Sequence, residues 1–342
     1  MKMKSAGNRK SGMDRDILKL AVILGLVLLF AVLFMPTLFF TAANFKSMAF
    51  QFPEFGLMAA GMALAMLTGG SDLSVVNAGN LIAIVVGSMY KSMAGVDAEG
   101  AGVVPVLLLG LLLAFVMGAV MGGFNGFMIS RVGIPPILTT LGTSQLYNGL
   151  GIVITKGTTL TGFPAMLNRI GNGSAFGFIP YPLIIFALAM AIVSFIIQRS
   201  SFGYKLYMMG TNARAASFSG INNSAMLIKT YALSGMLSAL AGMVILARNN
   251  SANADYGSNY IMQTILVAVM AGFNPNGGKG RITGLVLGVI TLQMLSSALN
   301  MTNITSFFKQ LVYGAMLLIL VIINSETFAN WLSARRRHAA RA

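Results

Sequence analysis

The chain alternates long apolar runs with short polar gaps. The runs approach the ~20 residues that a helix needs to cross a bilayer. They cover residues 17–35, 54–68, 74–91, 103–129, 133–154, 180–198, 227–247, 260–273, 283–300 and 305–324. The runs 54–68, 74–91, 133–154 and 260–273 are short or interrupted. The pattern predicts an all-α, polytopic membrane bundle of about ten transmembrane helices, some of them broken or re-entrant.

The first run resembles a signal peptide in one respect, because basic residues precede it. Its apolar stretch from Ile17 to Met35 is longer than the roughly 7–15 apolar residues of such a segment. We therefore expect an uncleaved first span. The whole chain, residues 1–342, is predicted to be a single domain with polar tails at 1–16 and 325–342.

Composition narrows the class of protein. Of the 342 residues, 56% are apolar and only 9% are charged, whereas an average soluble domain has about 25% charged residues. This excludes a soluble globular protein and a disordered one. The chain contains no cysteine, so disulfides, thiolate metal sites and cysteine nucleophiles are excluded as well.

The net charge of +15 does not indicate a nucleic-acid partner, because no basic face with interleaved aromatic residues is present. Basic residues instead collect at the two ends and in a few gaps. With the N-terminus placed in the cytoplasm, 17 of the 23 Lys and Arg residues fall on the inner side, as the positive-inside rule requires. We therefore expect both termini and residues 199–226 to be cytoplasmic.

A glycine pair interrupts the apolar pattern after the second run. Gly69 and Gly70 permit backbone angles that other residues avoid, and Ser71 or Asp72 can cap the next helix. One interpretation is a tight turn near the inner surface. The other is a helix broken at membrane depth beside a cavity, where Asp72 is a functional candidate because intramembrane acids are rare.

Uncharged polar residues recur inside the apolar runs. Amides and hydroxyls can bind an uncharged, polyhydroxylated solute without the cost of burying a charge. Together with the break, they form the predicted translocation path: Gly69, Gly70, Asp72, Asn125, Gln145, Asn148, Gln263 and Gln293. The few intramembrane charges give no sign of a proton or sodium relay.

Three glycine or proline motifs have structural interpretations. Gly133-Ile-Pro-Pro136 predicts a helix start, because proline fits the first turn. The small-xxx-small spacings at Gly118/Gly122 and Gly284/Gly288 predict close helix packing. The Gly-rich loop 273–281 fails the Walker A pattern, since Phe273 stands where glycine is required and Gly280 replaces Ser/Thr. Nucleotide binding there is rejected.

The longest hydrophilic gap is 199–226, and it predicts one short helix. Thr211 or Asn212 can cap it, and Gly220 can end it. A lone helix of this length is marginal, so it packs either on this protein's own surface or on a cytoplasmic partner. No catalytic constellation is visible, and the single histidine, His338, lies in the basic tail.

At several of these segments the chain resembles the permease subunits of bacterial ABC importers for monosaccharides, of the ribose/galactose/xylose type. The segments are Gly69-Gly-Ser-Asp-Leu-Ser74, Gly133–Thr143, Phe202-Gly203, Gly210–Ile221, Tyr231–Gly242 and Gly277–Gly280. Two positions depart from the family pattern: Val75-Val76-Asn77 replaces a usual Val-Gly pair, and Ala213-Arg214 replaces usual acidic residues. The groove on the ATPase is then specific to this system.

The resemblance implies a multi-pass protein of the bacterial inner membrane, surrounded by lipid. It implies three partners: an ABC ATPase, an extracytoplasmic sugar-binding protein, and a second permease copy or paralogue. ATP and Mg²⁺ belong to the ATPase, and no cofactor is expected in this chain. The implied coupling helix against the ATPase comprises Thr211, Asn212, Ala213, Arg214, Ala215, Ala216, Phe218 and Gly220.

Two alternatives remain open at this point. The same machinery can move nucleosides or another small polar solute, and substrate choice is not readable from the residues. The chain can also be a secondary transporter or a membrane-embedded enzyme, which a copurifying ATPase would exclude.

Overall fold

The computed structural model describes residues 7–94, 102–302 and 304–324. Most of these residues are helical. The helices are α1 (Gly7–Phe34), α2 (Pro36–Phe39), α3 (Ala42–Leu67), α4 (Val75–Met93), α5 (Val104–Phe127), α6 (Pro136–Thr155), α7 (Ala165–Asn172), α8 (Tyr181–Arg199), α9 (Ser201–Thr211), α10 (Ala213–Phe218), α11 (Asn223–Asn249), α12 (Tyr260–Met270), α13 (Ile282–Met301) and α14 (Ser306–Asn324). A π-helical turn, Met128–Val132, extends α5.

Two small antiparallel sheets accompany the helices. Their strands are β1 (Leu160–Thr161), β2 (Ser174–Ala175), β3 (Ile179–Pro180) and β4 (Ser251–Ala252). Leu160 pairs with Ala252 in one sheet, and Ser174 pairs with Pro180 in the other. With α7, they cover the end of the bundle where α6 and α11 finish.

Each of the ten apolar runs contains a helix, so the all-α membrane class is confirmed. Six helical segments in the described part of the chain are long and apolar enough to cross a membrane: Ala42–Leu67, Val104–Val132, Tyr181–Arg199, Asn223–Asn249, Ile282–Met301 and Phe307–Asn324. The count of ten spans is not confirmed. α12 has 11 residues, which at 1.5 Å per residue is about 16 Å, roughly half of the hydrocarbon core.

The second run is longer than predicted. α3 begins at Ala42, twelve residues before the predicted start, with the Thr41 side chain accepting a hydrogen bond from Asn44 N at 3.2 Å. Polar residues such as Lys46 and Glu54, together with Pro53 inside the helix, concealed this first half. The expectation of a short span at 54–68 is therefore wrong.

The centre of the bundle is α11, which packs on α5, α3 and α4. A Cβ atom at Gly122 would collide with the backbone oxygen of Tyr231, and one at Gly118 would collide with Gly235. Glycine at these positions lets the backbones of α5 and α11 approach directly, as small-residue spacing does in membranes. The predicted close packing at Gly118/Gly122 is present in the structure, and Gly284 likewise packs against Ala271 O.

The chain makes two returns into the bundle, one from each end. After α3, residues 68–74 turn back, and α4 begins with Val75 beside Gly61, six residues before the end of α3. After α11, residues 250–259 turn back from the opposite end. There Ala254 O and Tyr256 O accept hydrogen bonds from Asn80 of α4. Both α4 and α12 therefore begin inside the bundle.

The gap 199–226 contains two helices, α9 and α10, where one was predicted. α9 ends against the end of α3, because a Cβ at Gly210 would collide with Leu67 O. The Gly-rich loop before α13 also contacts the end of α3, since Gly278 N donates a hydrogen bond to Leu67 O at 3.0 Å. We call this contact of Leu67, Gly69, Gly210, Gly277 and Gly278 the junction.

Candidate functional site

Asp72 lies in the return after α3, and its side chain is almost completely buried, at 1% exposure. Oδ1 accepts hydrogen bonds from Ser74 N at 3.1 Å and from Ser74 Oγ at 2.6 Å. Oδ2 accepts one from Ser234 Oγ of α11 at 2.6 Å. The hydrogen bonds that Asp72 accepts from the described residues all come from uncharged groups. The carboxyl is thus held by hydroxyls and one amide.

Asn125 of α5 belongs to the same cluster. Its Nδ2 donates to Ser74 Oγ at 2.9 Å, and the residue is fully buried. Asp72, Asn125, Ser74 and Ser234 therefore join the return to α5 and α11. Two of the predicted path residues, Asp72 and Asn125, are brought together here. We call these four residues the Asp72 cluster.

Gly69 and Gly70 lie where the return after α3 closely contacts other segments. A Cβ at Gly70 would press on Tyr231 Oη of α11 and on the ring of Pro136 in α6, and Gly69 has a positive φ of 83° next to Asn276 O of the Gly-rich loop. Thr140 of α6 donates to Ser71 O at 3.1 Å. The return is thus walled on two sides by α6 and α11.

The capping expectation for this break is wrong in detail. The N-cap residue of α4 is Ser74, whose side chain makes no capping hydrogen bond, and neither Ser71 nor Asp72 occupies that position. Asp72 instead accepts the Ser74 N–H in a local turn, because its carboxyl is two residues before the amide. Pro136 does stand at the first position of α6, as predicted.

A second buried carboxyl lies elsewhere in the bundle. Glu54 of α3 is 2% exposed, and its Oε1 lies 3.2 Å from Arg248 Nη2 of α11. Tyr260, at the start of α12, donates a hydrogen bond to the same oxygen. Glu54 Oε2 is buried without a hydrogen-bond partner among the described residues. We call Glu54, Arg248 and Tyr260 the Glu54 cluster.

A polar cavity of about 100 Å³ adjoins the Glu54 cluster. Gln51, Gln263, Gln293 and Ser296 line it together with the cluster residues, and Gln293 Nε2 donates to Gln51 Oε1 at 3.2 Å. A cavity of this size accommodates a few water molecules, each of which occupies about 30 Å³ in the liquid.

The sequence interpretation missed Glu54 and Arg248. The predicted run 54–68 begins at Glu54 without giving this acid a role, and Arg248 directly follows the predicted run 227–247. The available signal was an acid within an apolar helix, of which the chain has few. Gln263 and Gln293, both predicted path residues, lie at this second cluster and not beside Asp72.

The two remaining polar candidates separate further. Asn148 of α6 donates to Ala254 O at 3.1 Å and so holds the second return. Gln145 is exposed on α6, on a face that also carries Gly142 and Gly149, where a Cβ would meet nothing within 4 Å. The predicted path residues therefore occupy four places in this single chain.

The short helix of the 199–226 gap has the predicted bounds and cap. The Asn212 side chain accepts from Ala215 N at 3.0 Å, α10 covers Ala213–Phe218, and Gly220 follows with a positive φ of 79°. Phe218 is 94% exposed, but Ala216 is 1% exposed and packs inward. The expectation that Ala216 presents an accessible surface is therefore wrong; Ala213, Arg214 and Ala215 do present one.

The described residues contain no group of three or more His, Asp or Glu side chains placed to hold a metal ion. In the first part of the Gly-rich loop 273–281, several backbone amides are engaged in hydrogen bonds. Gly277 N donates to Asn274 O at 2.9 Å, Asn276 N to Asn274 Oδ1 at 3.0 Å, and Gly278 N to Leu67 O.

Known proteins resemble this chain over most of its length. Residues 44–321 match the family described as branched-chain amino acid transport system / permease component. The chain is 35% identical to the ribose import permease protein RbsC of Bacillus subtilis, over 92% of this chain and 95% of that protein. It is 30% identical to the Escherichia coli K12 RbsC, over 84% and 87% of the two chains.

A third relative is named for a different solute. The autoinducer 2 import system permease protein LsrD of Yersinia pseudotuberculosis is 29% identical over 84% of this chain and 86% of its own. No solved structure matches the chain. The resemblance drawn from the sequence motifs is confirmed, and the chain belongs to the family of multi-pass membrane permease components of import systems.

Proposed function

We propose that this chain is the permease subunit of an ABC importer for a monosaccharide and forms the translocation path for a sugar delivered by a binding protein. The observation that carries the proposal is the junction together with α10. The short, exposed helix α10 follows α9, and α9 contacts the end of α3 closely through Gly210, directly before the broken segment at Asp72. Relatives named as ribose permeases over nearly the whole chain support the substrate class.

The coupling step uses α10 as the contact with an ATPase. Phe218 supplies an exposed apolar anchor, and the small side chains of Ala213 and Ala215 permit close approach. Arg214 meets an acidic rim and fixes the register. Because Asn223 Nδ2 donates to Ala213 O at 2.7 Å, displacement of α10 also pulls on the start of α11.

The motion then passes through the junction. Gly210 lies against Leu67 O, and Tyr207 of α9 donates to Gly280 O at 2.7 Å. A shift of α9 therefore displaces the end of α3 and the Gly-rich loop as one unit. The return 68–74 follows α3 directly, so the same displacement also moves the Asp72 cluster.

ATP and Mg²⁺ bind to the separate ATPase subunit in this proposal. The departure of residues 273–281 from the Walker A pattern supports this division of labour, since Gly280 stands where Ser or Thr is required. The chain is a transport subunit without an ATPase site of its own. Asn125 and the amides of α6, α12 and α13 offer neutral polar groups to an uncharged sugar, and the Asp72 carboxyl offers hydrogen-bond acceptors.

The remaining partners follow from the same proposal. A second permease copy or paralogue packs on the exposed face of α6, where Gly142 and Gly149 leave an open surface beside Gln145. An extracytoplasmic sugar-binding protein docks at the end with β1–β4. The junction end faces the cytoplasm in this proposal, because residues 199–226 lie there and the positive-inside rule predicts a cytoplasmic position for them.

The test uses the reconstituted complex with its ATPase and binding protein. We expect Ala215→Glu and Phe218→Ser to abolish transport and sugar-stimulated ATP hydrolysis, and to lower the recovery of the ATPase in a pull-down. Phe178→Ser, an exposed change between β2 and β3, is the matched control and should leave the pull-down intact. Wild-type pull-down and stimulation in both α10 variants would show that α10 is not the coupling element.

Substrate class has its own test. Ligand screening of the partner binding protein distinguishes a monosaccharide from a nucleoside or another small polar solute. The relative named for autoinducer 2 import makes a non-ribose solute a specific second candidate. A binding protein that takes only nucleosides would overturn the monosaccharide assignment and leave the coupling mechanism unaffected.

A further inference from the structure

An aliphatic groove lies on the outside of the bundle between α5 and α8. Its volume is about 270 Å³. α8 supplies most of one wall, α5 supplies Leu111 and Phe115, and α11 forms the floor. The lining residues are Leu64, Leu111, Phe115, Ile185, Leu188, Ala189, Ile192, Val193, Ile196, Ile197, Leu233, Met236, Leu237 and Leu240, all of them apolar.

The groove lies at the depth of the membrane, because α5, α8 and α11 all belong to the segments that are long and apolar enough to span it. Its α8 wall runs from Ile185 to Ile197, which is about 18 Å at 1.5 Å per residue. An empty groove would forfeit the dispersion contacts of its lining, and water gains no hydrogen bonds from such walls. An extended hydrocarbon chain fits both the shape and the chemistry.

Two basic residues stand at the junction end of this groove. Lys229 precedes Leu233 by four residues on α11, and Arg199 follows Ile196 by three residues on α8. Residues three or four apart share one face of a helix. Lys229 and Arg199 are therefore on the groove faces of their helices, one turn beyond the apolar lining, and both are exposed.

We propose that this groove is a binding site for one anionic phospholipid. An acyl chain lies along α8 over the floor of α11, and the phosphate headgroup lies between Lys229 and Arg199. Two cations at one headgroup favour a net negative lipid over a zwitterionic one, since each basic residue near the membrane surface attracts anionic lipid.

The rival occupant is a helix of a second copy of the chain. The surface chemistry argues against it here, because the apolar lining continues into the exposed cations Lys229 and Arg199, a combination that matches the acyl chain and the phosphate of a phospholipid. The groove has a wholly apolar lining and is basic at one end. The lipid proposal does not depend on the sugar or on the ATPase.

The headgroup test titrates the purified full-length chain with phosphatidylglycerol or phosphatidylethanolamine and counts bound lipid by native mass spectrometry. We expect Arg199→Gln/Lys229→Gln to weaken phosphatidylglycerol binding about tenfold and to leave phosphatidylethanolamine nearly unchanged. Lys205→Gln/Lys279→Gln removes two exposed charges elsewhere and should change neither. Equal weakening by both pairs would overturn the site, because it would reflect general surface charge.

The second test places a larger side chain in the apolar part of the groove. Ile192 is exposed and lines the groove, whereas Phe195 is exposed on the same helix but does not line it. We expect Ile192→Trp to remove the tightly bound lipid and Phe195→Trp to retain it. Retention of lipid by Ile192→Trp would overturn the proposal. Dissociation of a chain dimer by Ile192→Trp without loss of lipid would overturn it too, in favour of a protein interface.

Discussion

The chain buries two carboxyl groups in its bundle, and it stabilises them in different ways. Asp72 accepts hydrogen bonds from two serines and a backbone amide, whereas Glu54 pairs with Arg248 and shares Tyr260. Along α11, their partners Ser234 and Arg248 are separated by fourteen residues, about 21 Å. The two clusters therefore belong to different levels of the molecule.

The two clusters differ in the charge of the groups that hold each carboxyl. Ionic partners hold strongly but penalise any separation, because each charge left alone in a low dielectric is costly. Neutral hydroxyls can exchange one hydrogen bond for another, or for a solute hydroxyl, at a smaller cost. The Asp72 cluster, next to the junction and in the broken segment, is suited to movement. The Glu54 cluster is suited to tying α3, α11 and α12 together.

The largest effect is expected at Glu54. Glu54→Ala leaves Arg248 without its ion partner and Tyr260 without its acceptor, and breaking a buried pair from one side costs about 3–5 kcal/mol. We expect a large loss of thermal stability in detergent, measured by size-exclusion recovery after heating. Arg248→Ala is the companion variant.

The companion is informative because removing Arg248 leaves a nearly fully buried carboxylate, whereas Arg248 itself is 21% exposed and can reach water. Glu54→Gln, which preserves shape, should recover part of the stability. Wild-type stability of Glu54→Ala would show that the cluster does not hold the three helices together.

A smaller effect on stability and a larger one on transport are expected at Asp72. Asp72→Asn keeps the size of the side chain but weakens hydrogen bonds to a charged group, each worth about 1.5–3 kcal/mol. We expect assembly with the ATPase to persist and uptake by the reconstituted complex to fall about tenfold, which corresponds to about 1.4 kcal/mol. Unchanged uptake at normal expression would reduce the return 68–74 to a plain turn.

The comparison also shows how far residue patterns reach. The apolar runs predicted where helices lie, and Gly118 and Gly122 predicted a close helix contact, because both features depend on local spacing alone. Asp72 stood out as the single acid in an apolar stretch. Asn212 as a cap and Gly220 as a terminator were readable because capping involves neighbours within a few residues.

The rest depends on residues far apart in sequence. Glu54 and Arg248 are separated by 194 positions, and only the packing of α3 on α11 joins them. α12 was readable as an apolar run, but its start inside the bundle follows from the return at 250–259, which no local signal specifies. Ala216 was placed on the surface because a six-residue helix has no periodicity from which to read its inner face.

Ser234 provides an intermediate test of the Asp72 cluster. Ser234→Ala removes the donor that Asp72 Oδ2 has among the described residues, and it should destabilise the fold by about 1–3 kcal/mol, the cost of a buried acceptor left unpaired. Ser238→Ala, one turn further along α11, is the control, since its hydroxyl bonds only to Ser234 O at 2.9 Å. Equal melting temperatures for the two variants would mean that Ser234 does not support Asp72.

The smallest structural effect, and the one that assigns each cluster to a side of the membrane, is expected from single cysteines. Ser217 is exposed on α10, and Phe178 is exposed between β2 and β3, so each replacement by cysteine should change stability by less than about 0.5 kcal/mol. The chain has no cysteine of its own, which makes every label specific. In intact cells, we expect an impermeant maleimide to modify Phe178→Cys and not Ser217→Cys, because the distribution of Lys and Arg along the sequence predicts that residues 199–226 are cytoplasmic. Permeabilised cells should expose Ser217→Cys, and bound ATPase should protect it again if α10 is the docking helix. Labelling of Ser217→Cys from outside would show that the orientation is inverted and that the Asp72 cluster lies in the outer half of the membrane. It would also remove the basis for coupling through the junction.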